Sequence, residues 1–326
     1  MTRRVAVTLV NWNEYGRTVE CLERLHASEG VRARVLVVDN GSAGDDAERL
    51  RARPDVERVV ALRENRGYAG GMNTGLRAWL EAETSDPILI LTPDVELKPD
   101  TLARMAAALE AEARAGVVGP VVVYREGPDG LISAGGRIEA SGIRTVMNRE
   151  VPDGSMREVD WIDGCCMLLR PEAAADAGGF DERYFIYFEE IDLCHRVRRA
   201  GWSVIVALDA AVRHPKEEAL RPAYYYYYMV RNRFLFWRKN FGIGFARVAA
   251  RVAVATVGMT GSWLKSMAVP RLRRERRNRL TRLSLHLRGV AAGTRDHLRG
   301  RYGRMPTPTR QTASSSSDQP RSATGS

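Results

Sequence analysis

Long apolar runs are missing from this chain of 326 residues. In the most apolar helical stretch, 241–268, Arg247, Arg251 and Lys265 break the pattern, and the longest uncharged gap is thirteen residues. A membrane-spanning helix needs about 20, so the stretch reads as an amphipathic or packed helix. Ahead of Asn11 only the six residues 5–10 form an apolar run, shorter than the roughly 7–15 residues of a secretory signal core. A cytoplasmic location is expected. Cysteine is scarce: Cys21, Cys165, Cys166 and Cys194 include no CxxC pair. That excludes a zinc ribbon and a disulfide framework, and the four read as buried thiols in a reducing compartment. Acidic residues nearly vanish from one end. Residues 1–220 hold 28 Lys/Arg against 37 Asp/Glu, but 221–326 hold 22 against 3. A basic third on a mildly acidic body suits an anionic surface. Between Arg271 and Arg301 there is no Phe, Tyr or Trp, whereas single-strand nucleic-acid binders interleave rings with their cations. No nucleic-acid partner is expected. A Gly-rich loop carrying Arg and Lys directly after the first strand, as nucleotidyltransferases use, is also absent, since that position reads NWNEYGR.

What is present in the first 125 residues is alternation. Short β-branched runs at 5–10, 35–38, 56–61, 88–91 and 117–123 are separated by helical patterns near 15–28, 45–52, 72–83 and 99–113. Near-continuous apolar strands separated by helices predict an α/β fold with a parallel sheet covered on both faces. Ligands of such sheets bind beyond the C-terminal strand ends. From 131 to 170 short Gly-punctuated strands suggest a mixed or antiparallel extension, then a helix follows at 189–200 and a strand at 202–206. After Pro222 the pattern is helical to about Gly300, and the final Pro/Ser/Thr-rich residues read as disordered.

Each strand end offers polar chemistry. Asp39 closes VLVV on a turn, where a carboxylate can accept from a pyrimidine ring or ribose hydroxyls or simply cap the next helix as an Asx-turn. The segment from Asn65 to Asn73 has three glycines and opens a helix, offering backbone N–H groups to phosphate. In LILTPDVEL, Asp94 sits beyond a strand, where it can hold a hard cation against a diphosphate or form a turn. Glu189, Glu190 and Asp192 begin a helix beside Phe185, Tyr187 and Phe188. First-turn acids complement the helix dipole, but desolvation by those rings would raise a carboxyl pKa toward the range of a general base. His214 precedes Pro215 and is expected on a loop, either structural or a metal ligand.

Taken in order, VNWNE, VVDNGS, ENRGYAGGMN, LTPDVEL, DGCCMLLRPE, GGFDERYFIYFEEIDLCHR and YYYYMVRNR resemble the bacterial family 2 glycosyltransferases of the GT-A fold, in particular their rhamnosyltransferase-like branch, over roughly residues 4–240. The resemblance implies a GT-A catalytic domain at 1–220. Its nucleotide-sugar half would be 1–125 and its acceptor and base half 126–220, followed by a basic helical extension at 221–304 and a disordered tail at 305–326. It implies Asn11 and Glu14 near the nucleotide, Asp39 on the base or ribose, and Asn65, Gly67, Gly71 and Asn73 along the diphosphate. Asp94 matches the final acid of the family's metal motif, whose first acid is replaced here by Thr92, assigned to the donor. His214 would complete a Mg2+ or Mn2+ site. Glu190 takes the place of the base, with Glu189 as the alternative, and Asp163, Asp192 and Arg231 become candidates for the acceptor or a phosphate. The implied reaction is inverting transfer of a sugar from a nucleotide-sugar donor, with dTDP-rhamnose favoured.

Eight arginines between Arg271 and Arg288, beside an amphipathic stretch, fit anionic headgroups. The expected acceptor is therefore a polyprenyl-diphosphate-linked saccharide, with the protein peripheral on the inner face of the cytoplasmic membrane. The run from Tyr224 to Tyr228 points all round a helix, so most of these rings are expected to be packing residues.

Overall fold

A computed structural model describes residues 3–125, 130–215, 221–267 and 276–305, with the side chains of 262–267 and 276–279 outside the description. The β-branched runs form parallel strands because alternate residues are buried on opposite faces. Ala6, Leu36, Ile88 and Ile90 face one core, whereas Val5, Val7, Val35, Leu89 and Leu91 face the other. Strands β1 (Arg3–Asn11), β2 (Val31–Asp39), β3 (Arg58–Ala61) and β4 (Ile88–Leu91) alternate with helices α1 (Tyr15–His26), α2 (Asp46–Arg51) and α3 (Gly67–Glu81). Next come β5 (Glu96–Leu97), α4 (Thr101–Ala111), β6 (Ala115–Tyr124), β7 (Leu131–Ser133), β8 (Gly136–Glu139), β9 (Arg144–Met147) and β10 (Met156–Glu158). The chain continues through β11 (Cys166–Leu169), α5 (Pro171–Ala177), α6 (Glu189–Arg199) and β12 (Ser203–His214), then α7 (Ala223–Phe241), α8 (Phe245–Met267) and α9 (Arg276–Leu298).

The main sheet has the order β10-β12-β6-β11-β4-β1-β2-β3, while β8 and β9 form a separate ribbon. β1 through β4 are mutually parallel where they pair. β11 runs antiparallel between β4 and β6, and β12 returns parallel to β6. The mixed sheet expected after residue 131 is thus present. The order around β1 and β4 creates a switch point, where chains cross to opposite faces and leave a crevice.

Three boundaries differ from the sequence pattern. α3 starts at Gly67 rather than near 72. β12 continues past Val206 to His214 through an irregularity between Ala207 and Ala211. His214 therefore ends a strand instead of lying on a loop, because Val212 and Arg213 pair with both β6 and β5. The C-terminal helix is described from Arg276, so Arg271, Arg273 and Arg274 of the basic run, and the tail at 306–326, lie outside the described residues.

α7 does not hang off the domain. Phe234, Leu235, Phe236 and Trp237 share one core with Phe180, Tyr184, Phe188 and Ile191, and α9 packs along α7. Cys21, Cys166 and Cys194 are buried and Cys165 half-buried, all as free thiols. Burial pushes the Cys21 and Cys194 thiols up to about 12, which keeps them protonated and unreactive near neutrality.

Candidate active site

Strand direction alone brings the candidate residues to one edge. Because β11 opposes β4 and β6, its beginning lies beside the end of β4, at the rim where β1 and β12 also end. Asp94 follows β4 on a turn fixed by the Thr92 N–H donating to the Cys165 carbonyl at 3.0 Å. β5 then pairs with the end of β12, Leu97 opposite Val212, which carries the chain past His214. The result is an ion pair, His214 Nε2 to Asp94 Oδ2 at 3.3 Å. The Thr92 hydroxyl donates to Asp94 Oδ1 at 2.6 Å, and the Arg125 guanidinium donates to the Asp94 carbonyl. Burial alone would raise the Asp94 carboxyl, but the hydrogen bond and charge of His214 outweigh it and hold the group below the usual carboxylate range. His214 mirrors this: burial disfavours its imidazolium, yet Asp94 draws its pKa above the ordinary value. Thr92, expected on the donor, spends its hydroxyl orienting Asp94.

Asp163 and Gly164 precede β11. Burial raises the Asp163 carboxyl, opposed by a hydrogen bond from Ser133 and by the charge of His214. At Gly164 the start of α6 comes close, since a Cβ there would lie 3.3 Å from that of Glu190 and 3.2 Å from the Tyr68 hydroxyl. Tyr68 donates to the Gly164 carbonyl. Glu190, half-buried at the start of α6, is pushed up to about 7 mainly by burial, with Asp163 adding to the rise. Glu189 is buried and raised further, by burial and by Glu190. Each has a buried Oε2 with no hydrogen-bond partner within the protein. Asp94, His214, Asp163 and Glu190 thus form one electrostatically linked group drawn from four segments.

The entry to α6 is unusual. Phe185, Tyr187 and Phe188 have φ of 67°, 69° and 75°, a left-handed region that bulky residues rarely visit and that costs of order 1–3 kcal/mol each. Rings on α7 pack against them: Phe185 stacks on Tyr228 at 5.3 Å and Tyr187 meets Tyr225 edge-on at 5.2 Å. The Asn232 amide donates to the carbonyls of Tyr184, Ile186 and Tyr187 at 3.0, 2.8 and 2.7 Å.

The edge beyond β1 and β2 is built differently. Asn11 is buried, and its amide donates to Asp39 Oδ1 at 2.8 Å, to Asp46 at 2.9 Å and to Ser42. Asp39 also accepts from the Ser42 hydroxyl at 2.6 Å and from its N–H, the turn-capping geometry. Glu14 is exposed and pairs with Arg17 at 3.0 Å.

Four expectations need correction. The start of α3 is not an open phosphate cradle. The N–H of Arg66 donates to Asn40, that of Gly67 to Asn65 and that of Ala69 to the Phe185 carbonyl. Gly67 and Gly71 allow packing instead: with φ of +74°, Gly67 would place a Cβ 2.3 Å from the Phe185 carbonyl, and Gly71 presses on Val10. Asn73 is buried and clamps Phe180 through both backbone groups at 2.8 Å. Asp192 is fully buried behind the site, held by Tyr184, Arg196, Lys239 and Asn240. Arg231 is also fully buried, its guanidinium donating to the carbonyls of Arg183, Tyr184 and Gly303, so neither it nor Asp192 has a face for acceptor or phosphate. Sequence reading missed Asn40, Tyr68 and Asn232; only the adjacency of Asn232 to Arg231 and of Asn40 to Asp39 marked them.

A mixed sheet with this strand order, helices on both faces and carboxylates at its C-terminal edge defines a nucleotide-sugar transferase fold of the GT-A class. The chain matches the family model Glycosyltransferase like family 2 over residues 3–231, and it belongs to that family. Among curated proteins, it is 31% identical over 207 residues to the N-acetylglucosaminyl-diphospho-decaprenol L-rhamnosyltransferase of Mycobacterium tuberculosis, covering 56% of this chain. It spans 66% of that relative, just under two thirds of its length. The low-salt glycan biosynthesis hexosyltransferase Agl10 of Haloferax volcanii is 24% identical over 242 residues, 71% of this chain and 74% of that protein. Among solved structures, the mannosyltransferase PcManGT of Pyrobaculum calidifontis, in complex with GDP-Man and Mn2+, has a TM-score of 0.58 at 16% identity. That match covers 91% of this chain and 88% of the other, a likeness of fold.

Proposed function

We propose that the protein is an inverting glycosyltransferase that moves a sugar, with dTDP-rhamnose the favoured donor, to a hydroxyl of a lipid-linked saccharide. The observation that carries this reading is the convergence of Asp94 and His214 with Glu190 at the C-terminal strand edge. In it a carboxylate poised near neutrality is linked through Asp163 to a carboxylate–imidazole pair that would hold a cation once the imidazole gives up its proton.

Asp94 and His214 would hold a Mg2+ or Mn2+ ion. Their oxygen and imidazole donors suit such a cation, and they pair across 3.3 Å. Among the described residues no group of three or more such ligands exists, so the remaining positions would fall to the donor diphosphate and water, the usual habit of Mg2+. Bound there, the ion would neutralise charge on the departing nucleoside diphosphate. Glu190 takes the proton from the acceptor hydroxyl as that oxygen attacks the anomeric carbon from the face opposite the diphosphate, and the configuration inverts once. We assign the base to Glu190 rather than Glu189 because Glu190 is the less buried and abuts Gly164 in the cleft. Asp39 and Asn11 hold the nucleoside end, with Asp39 kept in place by its three donors.

The relative that acts on N-acetylglucosaminyl-diphospho-decaprenol supports a polyprenyl-diphosphate acceptor and a station on the inner face of the cytoplasmic membrane. No helix among the described residues is long and apolar enough to cross a membrane. α8 instead exposes Val254 and Val257, at 61% and 71%. On the adjoining α7, Arg233 has no carboxylate partner among the described residues, and burial with the charge of Arg251 lowers its pKa. Exposed apolar groups on a helix that also carries the exposed Arg247 suit an anionic lipid surface.

The test is transfer to a synthetic polyprenyl-diphospho-N-acetylglucosamine from a panel of dTDP-, UDP- and GDP-sugars, each with Mg2+, Mn2+ or chelator. Metal-dependent transfer from dTDP-rhamnose with one inversion is the expected result. Transfer from another nucleotide sugar alone corrects the donor, and inactivity with every donor defeats the enzymatic reading.

A further inference from the structure

We propose that Arg231 and Asn232 are positioning residues which, with the returning chain at 299–305, lock the 183–188 segment in the conformation that presents Glu190 to the cleft. The inference rests on Glu190 being the base.

Three of the four residues from Phe185 to Phe188 lie in the left-handed region, so the segment cannot bond its own carbonyls in helix or strand fashion. Buried backbone carbonyls demand partners. Here α7 supplies side-chain donors to those of Arg183, Tyr184, Ile186 and Tyr187, while the Ala69 and Asp192 N–H groups take those of Phe185 and Phe188. The Asn232 amide takes the carbonyls of Tyr184, Ile186 and Tyr187, while Arg231 Nη2 takes those of Arg183 and Tyr184 at 2.9 and 2.8 Å. Asn232 Oδ1 in turn accepts from Arg231 at 3.0 and 2.8 Å, which locks the amide's orientation. The C-terminal return closes the clamp: Arg231 Nη1 donates to the Gly303 carbonyl at 2.6 Å, and the Gly303 N–H donates to the Arg183 carbonyl at 2.9 Å.

A fully buried guanidinium with no carboxylate partner among the described residues is a costly way to pack a helix. Its charge is balanced by carbonyl dipoles and by the faces of Tyr227, Tyr228 and Tyr302 at 5.3, 4.8 and 5.8 Å. A leucine or methionine would fill that space at less expense, but it would take the side-chain donor from the Gly303 carbonyl and leave those of Arg183 and Tyr184 with one donor fewer. The consequence for chemistry is rotational. Phe188 caps α6 with a left-handed φ, and a slip of one residue at a helix start turns each following side chain by about 100°. Glu190, two residues in, would leave the face it shares with Gly164.

The experiment compares Asn232→Ala and Gly303→Pro, the second of which removes the Gly303 N–H and, because proline cannot adopt the φ of 82° there, also moves the carbonyl that Arg231 binds, with Val252→Ala, a core change in α8 whose side chain has no group to bond these carbonyls. For both clamp variants kcat is expected to fall about a hundredfold, the usual cost of misplacing a reacting group by about 1 Å. The donor KM should stay within about twofold, and amide exchange over 184–192 should rise while β1 and β2 keep their protection. Val252→Ala should lower Tm and leave kcat alone. Unchanged kcat and exchange in the clamp variants, or a kcat loss in Val252→Ala matching theirs, would overturn the proposal. If the wild-type protein transfers from no donor, it is the enzymatic reading, and with it the base assignment, that fails, and exchange over 184–192 alone then decides the clamp.

Discussion

The two sides of the cleft handle their buried carboxylates in opposite ways. On the nucleotide side Asp39 is bonded by Asn11 and twice by Ser42, within a network that includes Asp46 and Thr18. On the acceptor side Glu189 and Glu190 each keep a buried oxygen without a protein partner, at the end of a strained segment. Satisfied groups give rigidity; unsatisfied ones keep a carboxyl near the pKa at which it can take up and release protons around neutral pH. A site that must bind one molecule and deprotonate another needs both.

Asp94→Ala should have the largest effect. Transfer that depends on metal should fall below detection while the circular dichroism spectrum is kept, and near-normal activity in that variant would remove Asp94 from the site. Glu190→Gln comes next, with kcat expected to fall by about 10²–10⁴ and donor KM within about twofold. Because the base works only when deprotonated, and Glu190 titrates near 7, wild-type kcat should rise about tenfold per pH unit below that value and level off above it. An equal loss of kcat in Glu189→Gln with full activity in Glu190→Gln would transfer the role. The smallest change is expected from Asp39→Ala: donor KM up about tenfold, kcat nearly kept, and stability lower by about 1–3 kcal/mol because Asn11 loses a buried acceptor. If Asp39→Ala cut kcat as deeply as Glu190→Gln, the contrast between the two sides would collapse.

Much of the fold was legible in the sequence because period and strand-end chemistry are local properties. The runs at 5–10, 35–38 and 88–91 sit inside β1, β2 and β4, and the order of motifs points to the family without the fold. The misplaced features are those set by partners distant in sequence. Arg231 lies 47 and 48 residues from the carbonyls it bonds, and nothing in YYYYMVRNR says whether the arginine faces inward. The glycines at Gly67 and Gly71 suggested a ligand, but they serve contacts with Phe185 and Val10. His214 looked like a loop residue beside Pro215, since the pairing that extends β12 is made with β5 and β6.

The reversed strand β11 also bears on how such a catalyst can diversify. The described residues between the end of β6 and the start of β11 place β7 on β6, the edge strand β10 on β12 and the β8–β9 ribbon apart from the sheet, and return to the same rim without pairing with β1, β2 or β3. Surface connections tolerate changes of length far better than the elements they join. This excursion is therefore a place where the chain can take insertions or exchanges without disturbing the parallel strands β1, β2 and β3.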